Sequence, residues 1–477
     1  LLNGANSYTG GTYLVGGTLN AVQGAVSGGN LVFESSSTYA FASGYTLANN
    51  AVFQEGAIGS FSVAQSDTAT LSGQLSGAGG LAKAGLGELL LTGMNNTYTG
   101  PTQINQGRLV ATTAGAVSDV SPVSVANGAV FELRGVAEQI ESLDGDGEVV
   151  LGEGTQLSVI GTNNSTFAGA ITGTGGLNKG GSSSLTLTGV NTYTGPTSVN
   201  SGSFIVNGEV SNSPITVNSG GTLAGRGRVN TVELQGGSNI MPGTSPGTLT
   251  VSRNITFHPG STYVAEIENG VSDNIVVETG TATIEDGANL SLQLTGAPTL
   301  QQSYTILQAQ SGSIVWNDGF TVTSNFSRPL IENAVQYSPS AVTVTYAGLA
   351  APWSTVVNGT NAGAAANGVQ SLGLGNPVYN SAVFLEDEGR IDRAFSLLSG
   401  EINASAKTVL VGDSRFVRNA VFDRLVMAGG GAGASGMATA PLGYASNGDG
   451  VATAADPMGT VWAEGFGSWG STDGDSN

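Results

Sequence analysis

One segment of this chain occurs twice, and part of it occurs a third time. Residues 79–109 and 175–204 share a glycine pair, a lysine, a Leu-x-Leu-Thr-Gly run, an Asn-Thr-Tyr-Thr-Gly run and a Pro-Thr pair, all in the same order. Residues 2–19 keep only the later part of this pattern. The shared tyrosines, Tyr8, Tyr98 and Tyr193, are 90 and 95 residues apart. Self-similarity of this kind indicates stacked repeat units rather than one globular core.

Each copy reads as short strands joined by tight turns. Leu185 and Leu187 alternate with Ser and Thr, and Val199 follows after a turn, which is the pattern of strands with one buried face. Gly189 and Pro196 provide the backbone angles that tight corners need. No run of helical length separates the strands. The repeat therefore predicts an all-β solenoid.

The repeated segment resembles the passenger-associated repeat of bacterial autotransporters, the proteins of type V secretion (type Va). This resemblance implies that the passenger is a right-handed parallel β-helix, a solenoid. It also implies that an α-helical linker follows the passenger, and that the start of a transmembrane β-barrel, truncated in this sequence, follows the linker.

Composition agrees with an exported β-protein. Only 10% of the 477 residues are charged, 75 are glycine, and cysteine is absent, which excludes disulfides and thiolate metal sites. The net charge of −20 argues against nucleic acid as a partner, because no basic stripe is present to neutralise phosphates. The first residue is Leu and no signal peptide precedes the repeats, so we expect the sequence to be cut from a longer precursor.

The resemblance divides the chain into six predicted regions. They are a β-helix passenger with three repeats (1–219), a C-terminal passenger or autochaperone region (220–347), a linker (348–380), an amphipathic pore helix (381–428), a flexible linker (429–458) and the first barrel strand (459–477). In the second region, the Pro-Gly-x-Ser-Pro-Gly-x-Leu run at 242–249 carries the sharpest resemblance to an autochaperone. We also expect residues 304–320 to belong to the folding nucleus of this region.

The pore helix is predicted from spacing and charge. Ile391, Phe395, Leu398 and Ile402 recur every three or four residues, and basic residues concentrate in the same segment. A charged helix suits the polar lumen of a barrel better than lipid. Gly400 and Gly412 are possible interruptions.

Few residues are candidates for a chemical site. His258 is the only histidine, so a zinc site or a Ser-His-Asp triad is not expected, and we predict a surface turn residue. Asp144, Asp146 and Glu148 alternate with glycines and could form a calcium-binding corner, but a solvated turn fits better because the calcium nonapeptide pattern is missing. The glycines of residues 77–80 lack the Lys-Ser/Thr ending of a phosphate loop and are predicted to be turns.

The tyrosines Tyr8, Tyr98 and Tyr193 are expected to cover a corner rather than bind a ligand. Scattered acids and short loops do not form the groove of a carbohydrate-active enzyme. We therefore predict no enzyme activity and no catalytic, cofactor-binding or metal residues.

Two hypotheses about function remain from the sequence. The first is the stalk and autochaperone portion of an outer-membrane autotransporter, displayed on the bacterial surface or secreted, that acts as an adhesin or virulence factor. Its partners would be its own C-terminal β-barrel translocator, the outer-membrane assembly machinery and a host-cell receptor or glycan. The second hypothesis is a carbohydrate-active β-helix enzyme, either a lyase or a hydrolase.

Overall fold

The computed structural model describes residues 4–243 and 246–400, together with residues 407, 410, 411, 414, 415, 418, 419, 421 and 422. The chain divides into two compact units. The first contains residues 1–327 and 333–347, and the second contains residues 328–332 and 348–477.

The first unit is an all-β parallel solenoid in which each turn of the chain pairs with the next. In the turns that carry the repeats, paired residues lie about 20 positions apart, as for Leu89 with Leu109. Parallel pairing of this kind continues from the strand Thr12–Leu14 to the strand Thr321–Ser324. The all-β solenoid predicted from the repeats is confirmed.

In the part of the chain that the structure describes, the strands form five sheets, and successive members of each sheet pair with one another. The longest sheet contains Thr18–Ala21, Ser37–Phe41, Ile58–Ser62, Gly80–Ala84, Thr102–Ile104, Pro122–Val125, Ser142–Gly145, Ser165–Phe167, Ser184–Leu187, Gly202–Val206, Gly221–Gly225, Asn239–Pro242, Thr262–Glu268, Asn289–Thr295 and Thr321–Ser324, with Val271–Ser272 beside Thr262–Glu268. The second contains Thr12–Leu14, Leu31–Phe33, Ala51–Phe53 and Leu75–Gly77. The third contains Ala170–Gly173, Glu148–Leu151, Val130–Leu133, Arg108–Ala111, Glu88–Leu91, Thr68–Leu71 and Thr46–Leu47. The fourth contains Ala137–Ile140, Gln156–Val159, Gly176–Lys179, Thr197–Val199, Ile215–Val217, Val232–Leu234, Ile255–Phe257, Thr281–Ile284 and Ser313–Trp316. The fifth contains Val190–Asn191, Glu209–Val210, Arg228–Val229, Thr248–Val251, Asn274–Val277, Ser303–Ala309, Ala341–Gly348 and Ile331–Tyr337.

The core consists of apolar ladders that run from turn to turn. One ladder stacks Leu89, Leu109, Phe131, Val149 and Ile171, and each of these side chains is fully buried. The residues on either side of each ladder member are only partly buried, because side chains alternate along a strand; Val110, beside Leu109, is the exception and is fully buried. Burial of such side chains stabilises a fold by roughly 1.5–3 kcal/mol each.

A column of glycines marks one corner of the rod. Gly147, Gly169, Gly189, Gly208 and Gly227 occupy this corner in five successive turns. A β-carbon on each of the last four would lie inside van der Waals contact with the carbonyl oxygen of the glycine one turn earlier. Only glycine fits where backbones approach so closely.

The turns nearer the C-terminal end are longer. We call residues 80–229 the upstream turns and residues 232–347 the terminal turns. In the terminal turns, Asn289 pairs with Thr321, 32 positions later, and four of the described strands have seven residues each. The last strand, Ala341–Gly348, pairs antiparallel with Ser303–Ala309, so parallel stacking ends at this strand.

The second unit is helical in its described part. A 3₁₀ turn, Trp353–Thr355, is followed by α1 (Thr360–Leu372), α2 (Pro377–Ala382) and α3 (Glu388–Leu398). Trp353 is fully buried and stacks on Tyr379, with ring centroids 5.0 Å apart. Side chains of Asn376 and Asp387 accept backbone N–H groups at the starts of α2 and α3.

These helices lie in two of the predicted regions. Residues 348–380 were predicted to be a linker, but they contain α1 and most of α2. The apolar face of α1 is made of small residues such as Ala362 and Ala366, whose spacing gives a weak sequence signal. Residues 381–428 were predicted to form one helix, but α2 ends at Ala382 and α3 begins only at Glu388. After α3, Gly400 has a positive φ of 75° in a turn, at one of the two predicted interruptions.

The remaining C-terminal predictions fall mostly outside the described residues. Nine positions between 407 and 422 are described, and all are helical. The flexible linker at 429–458 and the barrel strand at 459–477 lie entirely outside. Among the described helices, none is both long enough and apolar enough to cross a membrane.

Candidate functional site

The repeated tyrosines lead to a buried network of hydroxyl groups. Tyr98 is fully buried, and its hydroxyl lies 2.6 Å from Thr102 Oγ1. Thr102 Oγ1 lies 2.8 Å from Ser121 Oγ in the next turn, and Ser121 donates to the carbonyl oxygen of Gly100. Every hydroxyl in this chain of contacts already has a protein partner, so the corner holds two turns together rather than binding a ligand.

The second copy repeats this geometry. Tyr193 contacts Thr197 at 2.6 Å, Thr197 contacts Ser213 at 2.8 Å, and Ser213 donates to the carbonyl oxygen of Gly195. Burial raises the pKa of Tyr98 and of Tyr193 to about 12. Both side chains lie inside the rod, as a packing role requires.

The partial first copy differs. Tyr8 contacts Thr12 at 2.5 Å but is 37% exposed. Thr12 pairs with Leu31, so Gly29 takes the place that Ser121 and Ser213 hold in the other copies. Glycine has no hydroxyl, and the network stops after two members.

The repeated lysines are also buried. Lys83 and Lys179 have no exposed surface. The Lys83 ammonium group donates to the carbonyl oxygens of Ala84 and Gly85 at 2.8 and 2.7 Å and to that of Gln106 in the next turn. Lys179 contacts the carbonyls of Gly180, Gly181 and Ser201 in the same way. Burial lowers the pKa of each lysine to about 8.

Glu138 is a buried acid that the sequence analysis did not identify. Its Oε1 accepts the backbone N–H of Val117 at 2.7 Å, and its Oε2 is buried without a hydrogen-bond partner among the described residues. Burial raises the pKa of Glu138 to about 8. Glu138 is two residues before Ile140 on a short strand, and only the register of the turns shows that it faces inward.

The possible calcium corner is not assembled. Asp144 Oδ1 accepts the backbone N–H of Thr166, Glu148 accepts the hydroxyl of Thr172, and Asp146 is exposed. These acids bond to the following turn instead of converging on one point. In the described ranges, no three His, Asp or Glu side chains are placed to hold a metal ion together.

His258 lies between two carboxylates from the neighbouring turns. Its Nδ1 is 2.9 Å from Glu285 Oε2, and its Nε2 is 3.0 Å from Glu233 Oε2. The hydrogen bond to Glu285 is the main cause that raises the pKa of His258, and Glu233 acts in the same direction. His258 begins a turn, in which its carbonyl oxygen accepts the backbone N–H of Ser261. Its two carboxylate partners could not be read from the sequence, because they are 25 and 27 residues away.

Asp273 connects a loop and the strand Thr262–Glu268 in the terminal turns. Its carboxylate accepts the backbone N–H of Gly247 at 2.7 Å and that of Glu266 at 3.0 Å. Asp273 is 1% exposed, and burial raises its pKa to about 6. Gly247 belongs to the Pro-Gly run that resembles an autochaperone, so this acid fixes one end of that run.

An open groove of about 500 Å³ lies beside Arg228. Ser211, Asn212, Ser252, Arg253 and Thr279 line it, together with Arg228 and Glu278. Arg228 forms ion pairs with Glu209 and Glu278 on either side, at 3.1 and 2.5 Å. All seven lining residues are polar or charged, and none of them is aromatic.

Comparison with known proteins identifies the repeat. The sequence profile described as passenger-associated-transport-repeat matches residues 1–21, 81–111 and 177–206, and so includes all three tyrosine corners. An extracellular serine protease of Serratia marcescens is 26% identical over 356 residues, which cover 64% of this chain and 32% of that protein. A second extracellular serine protease of the same species is 27% identical over 355 residues, with the same coverage.

An adhesin matches a shorter stretch of the chain at a higher sequence identity. The adhesin BmaC autotransporter of Brucella suis biovar 1 (strain 1330) is 38% identical over 156 residues, which cover 31% of this chain and 4% of the adhesin. The chain therefore spans a third or less of the length of each of these relatives. The chain thus carries the passenger-associated repeat on a parallel solenoid, and it is similar to an adhesin autotransporter and to extracellular serine proteases.

Proposed function

We propose that this chain is the stalk and autochaperone portion of an outer-membrane autotransporter, and that it acts in adhesion to host cells. The observation that carries the proposal is the way the repeats are used. Their tyrosine hydroxyls and lysine ammonium groups face inward and join successive turns, so the repeats build a rod. The matching segment of a Brucella adhesin supports an adhesive role.

The division of the chain follows from the same proposal. The repeats occupy residues 1–219, and residues 220–347 form the autochaperone region. The long strands and the antiparallel end of the terminal turns support a terminal cap, which a solenoid needs. We propose a right-handed solenoid, because nearly all connections between parallel strands are right-handed.

The C-terminal part would serve export. Residues 381–428, interrupted between α2 and α3 and again at Gly400, would enter the lumen of the chain's own β-barrel translocator, and residues 459–477 would begin that barrel. Residues 348–380 and 429–458 would connect these parts. The outer-membrane assembly machinery and a host receptor or glycan would be the other partners.

An enzymatic passenger is the second candidate, because two relatives are named serine proteases. The alternative of a carbohydrate-active enzyme, raised by the sequence, belongs to the same class. The only histidine in the chain contacts two carboxylates through its ring, one at each nitrogen. A Ser-His-Asp triad needs a histidine that contacts the nucleophile. We therefore propose that this chain does not contain a catalytic triad of a serine protease.

The experiment is binding of the purified 477-residue chain to host cells and to the expressing bacterium. We expect saturable binding to host cells that unlabelled protein competes away and that heat-unfolded protein does not show. A folded chain that binds neither surface would contradict adhesion. Labelling by a fluorophosphonate probe, which reacts with activated serines, would instead favour the enzymatic candidate.

A further inference from the structure

The contact of His258 with two glutamates has a chemical consequence. A neutral imidazole has one N–H donor and one nitrogen lone pair, whereas the imidazolium has two N–H donors. Nδ1 faces Glu285 Oε2 at 2.9 Å and Nε2 faces Glu233 Oε2 at 3.0 Å. Since carboxylates only accept, both contacts are hydrogen bonds only when His258 is protonated.

The three side chains come from three successive turns. Glu233 lies on Val232–Leu234, His258 follows Ile255–Phe257, and Glu285 follows Thr281–Ile284. These strands are neighbours in one sheet, and the His258 backbone N–H also donates to the carbonyl oxygen of Leu234. A protonated imidazole therefore links the turn before it to the turn after it.

On the two turns that flank His258, Glu233 and Glu285 are the charged residues that face it. The other neighbouring side chains are neutral or are bonded elsewhere. The residue beside it on the preceding turn is neutral Gln235, because Leu234 pairs with Phe257. On the following turn, Asp286 is adjacent to Glu285, but its carboxylate accepts from Asn317 and from the backbone N–H of Asp318. Within the described part of the chain, Glu285 and Glu233 are the charged groups that raise the His258 pKa.

We propose that Glu233, His258 and Glu285 form a proton-dependent clamp that holds these three terminal turns together more firmly as the pH falls. The clamp closes when His258 is protonated. It weakens as His258 loses its proton, because the neutral ring loses one hydrogen bond and turns a lone pair toward a carboxylate. Its side chains are 29–41% exposed, so protons reach it without unfolding.

The sign follows from linkage. The folded-state pKa of His258 is raised above its ordinary value of 6.5. The stabilisation is therefore fully present below pH 6.5 and is lost as the pH rises through the folded-state pKa. Surface ion pairs of this kind change an unfolding equilibrium by roughly two- to fivefold each.

The first test uses the fact that His258 is the only histidine. In the full chain labelled with ¹³C at histidine, its Cε1–H signal can be followed by NMR from about pH 5 to 9, a range that brackets the ordinary histidine pKa. We expect a midpoint above 6.5 that falls toward 6.5 in Glu233→Gln, in Glu285→Gln and furthest in the double variant. A midpoint that is the same in all four proteins would overturn the proposal.

The second test separates a clamp from a mere contact. Hydrogen-exchange protection factors for peptides from residues 232–286 are compared at about pH 6 and pH 8 in the wild-type chain and in His258→Gln. We expect wild-type protection to drop severalfold at the higher pH, and the variant to lack that drop. Peptides from residues 18–77, which precede both buried lysines, serve as the internal reference. An equal drop in both proteins would refute the clamp.

Discussion

The upstream and terminal turns solve the same stacking problem with different chemistry. In the upstream turns, paired residues lie about 20 positions apart, and the buried polar contacts that recur in both complete repeats are made by tyrosine, threonine and serine hydroxyls and by lysine ammonium groups on backbone carbonyls. The buried carboxylate of Glu138 joins turns there as well, but it occurs once. In the terminal turns, the spacing reaches 32 residues, and carboxylates make the contacts between loops and turns.

This difference teaches that repetition and termination place different demands on a solenoid. A repeated turn can stack on another copy of itself when the contacts use groups that every turn has. Backbone carbonyl oxygens are such groups, and the repeated hydroxyl residues are another. A terminal turn must be unique, and specific carboxylate partners such as Asp273 and Glu285 fix one register. We therefore expect the two regions to respond differently to substitution.

The largest effect is expected from the aromatic core. Phe131→Ala in the upstream turns and Phe257→Ala in the terminal turns each remove a fully buried ring, which costs about 3–5 kcal/mol of unfolding free energy. The ring of Phe257 also packs edge-to-face against the ring of Phe320, with ring centroids 5.2 Å apart. If the terminal turns act as a cap, Phe257→Ala should lower hydrogen-exchange protection upstream, whereas Phe131→Ala should act only on nearby turns. If the two variants lowered hydrogen-exchange protection in the same peptides, the terminal turns would not act as a cap.

The buried lysines predict a pH effect confined to the upstream turns. The folded-state pKa of Lys179 is about 8, below its ordinary value of 10.5, so the unfolded chain binds more protons between these values. Stability should rise by about 1–3 kcal/mol between about pH 7.5 and 10 relative to Lys179→Met. Denaturant unfolding at the two pH values measures this difference.

The matched control is the exposed Lys407. Lys407→Met should leave the pH dependence of the wild type unchanged. If Lys179→Met also leaves it unchanged, the ammonium group is not held by the buried carbonyl oxygens of Gly180, Gly181 and Ser201.

A smaller effect is expected from the hydroxyl network. Tyr193→Phe and Tyr98→Phe each leave the buried Oγ1 of a threonine with one partner fewer, which costs about 1 kcal/mol. Tyr8→Phe should cost much less, because Tyr8 is partly exposed and its network lacks a serine. Urea unfolding of the three variants ranks them, and an equal loss for Tyr8→Phe would contradict the network.

The smallest effect is expected from the surface ion pairs. Arg134 contacts Glu88 and Glu132 in the upstream turns, and Arg228 contacts Glu209 and Glu278 near the terminal turns. Both arginines are more than 40% exposed, so replacement by Gln should cost only about 0.2–1 kcal/mol. The loss should shrink at about 1 M salt, where charges are screened within a few ångströms. A loss that is independent of salt would indicate a packing role instead.

The sequence was sufficient to predict the rod. Alternating residues such as Leu185 and Leu187, together with the repeat, predict an all-β solenoid, and the family resemblance implies that its turns are parallel; the structure has parallel turns. In the second unit α3 lies within the predicted helical segment, whereas α1 was missed because Ala362 and Ala366 form a face without large apolar residues. Small side chains give little periodic signal, although Trp353 and Phe395 complete the core around them.

The buried polar groups were missed for a different reason. Lys83 reads as an exposed strand residue, and only its recurrence as Lys179 hints at a fixed role. The neighbours of His258 and Glu138 lie more than 20 residues away, so they depend on turn register. Register cannot be read until the length of every turn between two residues is known.

The glycine column at one corner of the rod limits how such a rod can change its length during evolution. Each glycine from Gly169 to Gly227 leaves room for the backbone of the turn before it, and no side chain can be accepted there. Successive glycines of the column are 19 to 22 residues apart, so turns differ in length while glycine keeps this corner. Insertions and deletions within a turn are therefore confined to its other corners and loops, and a duplication of a whole turn lengthens the rod while supplying its own corner glycine.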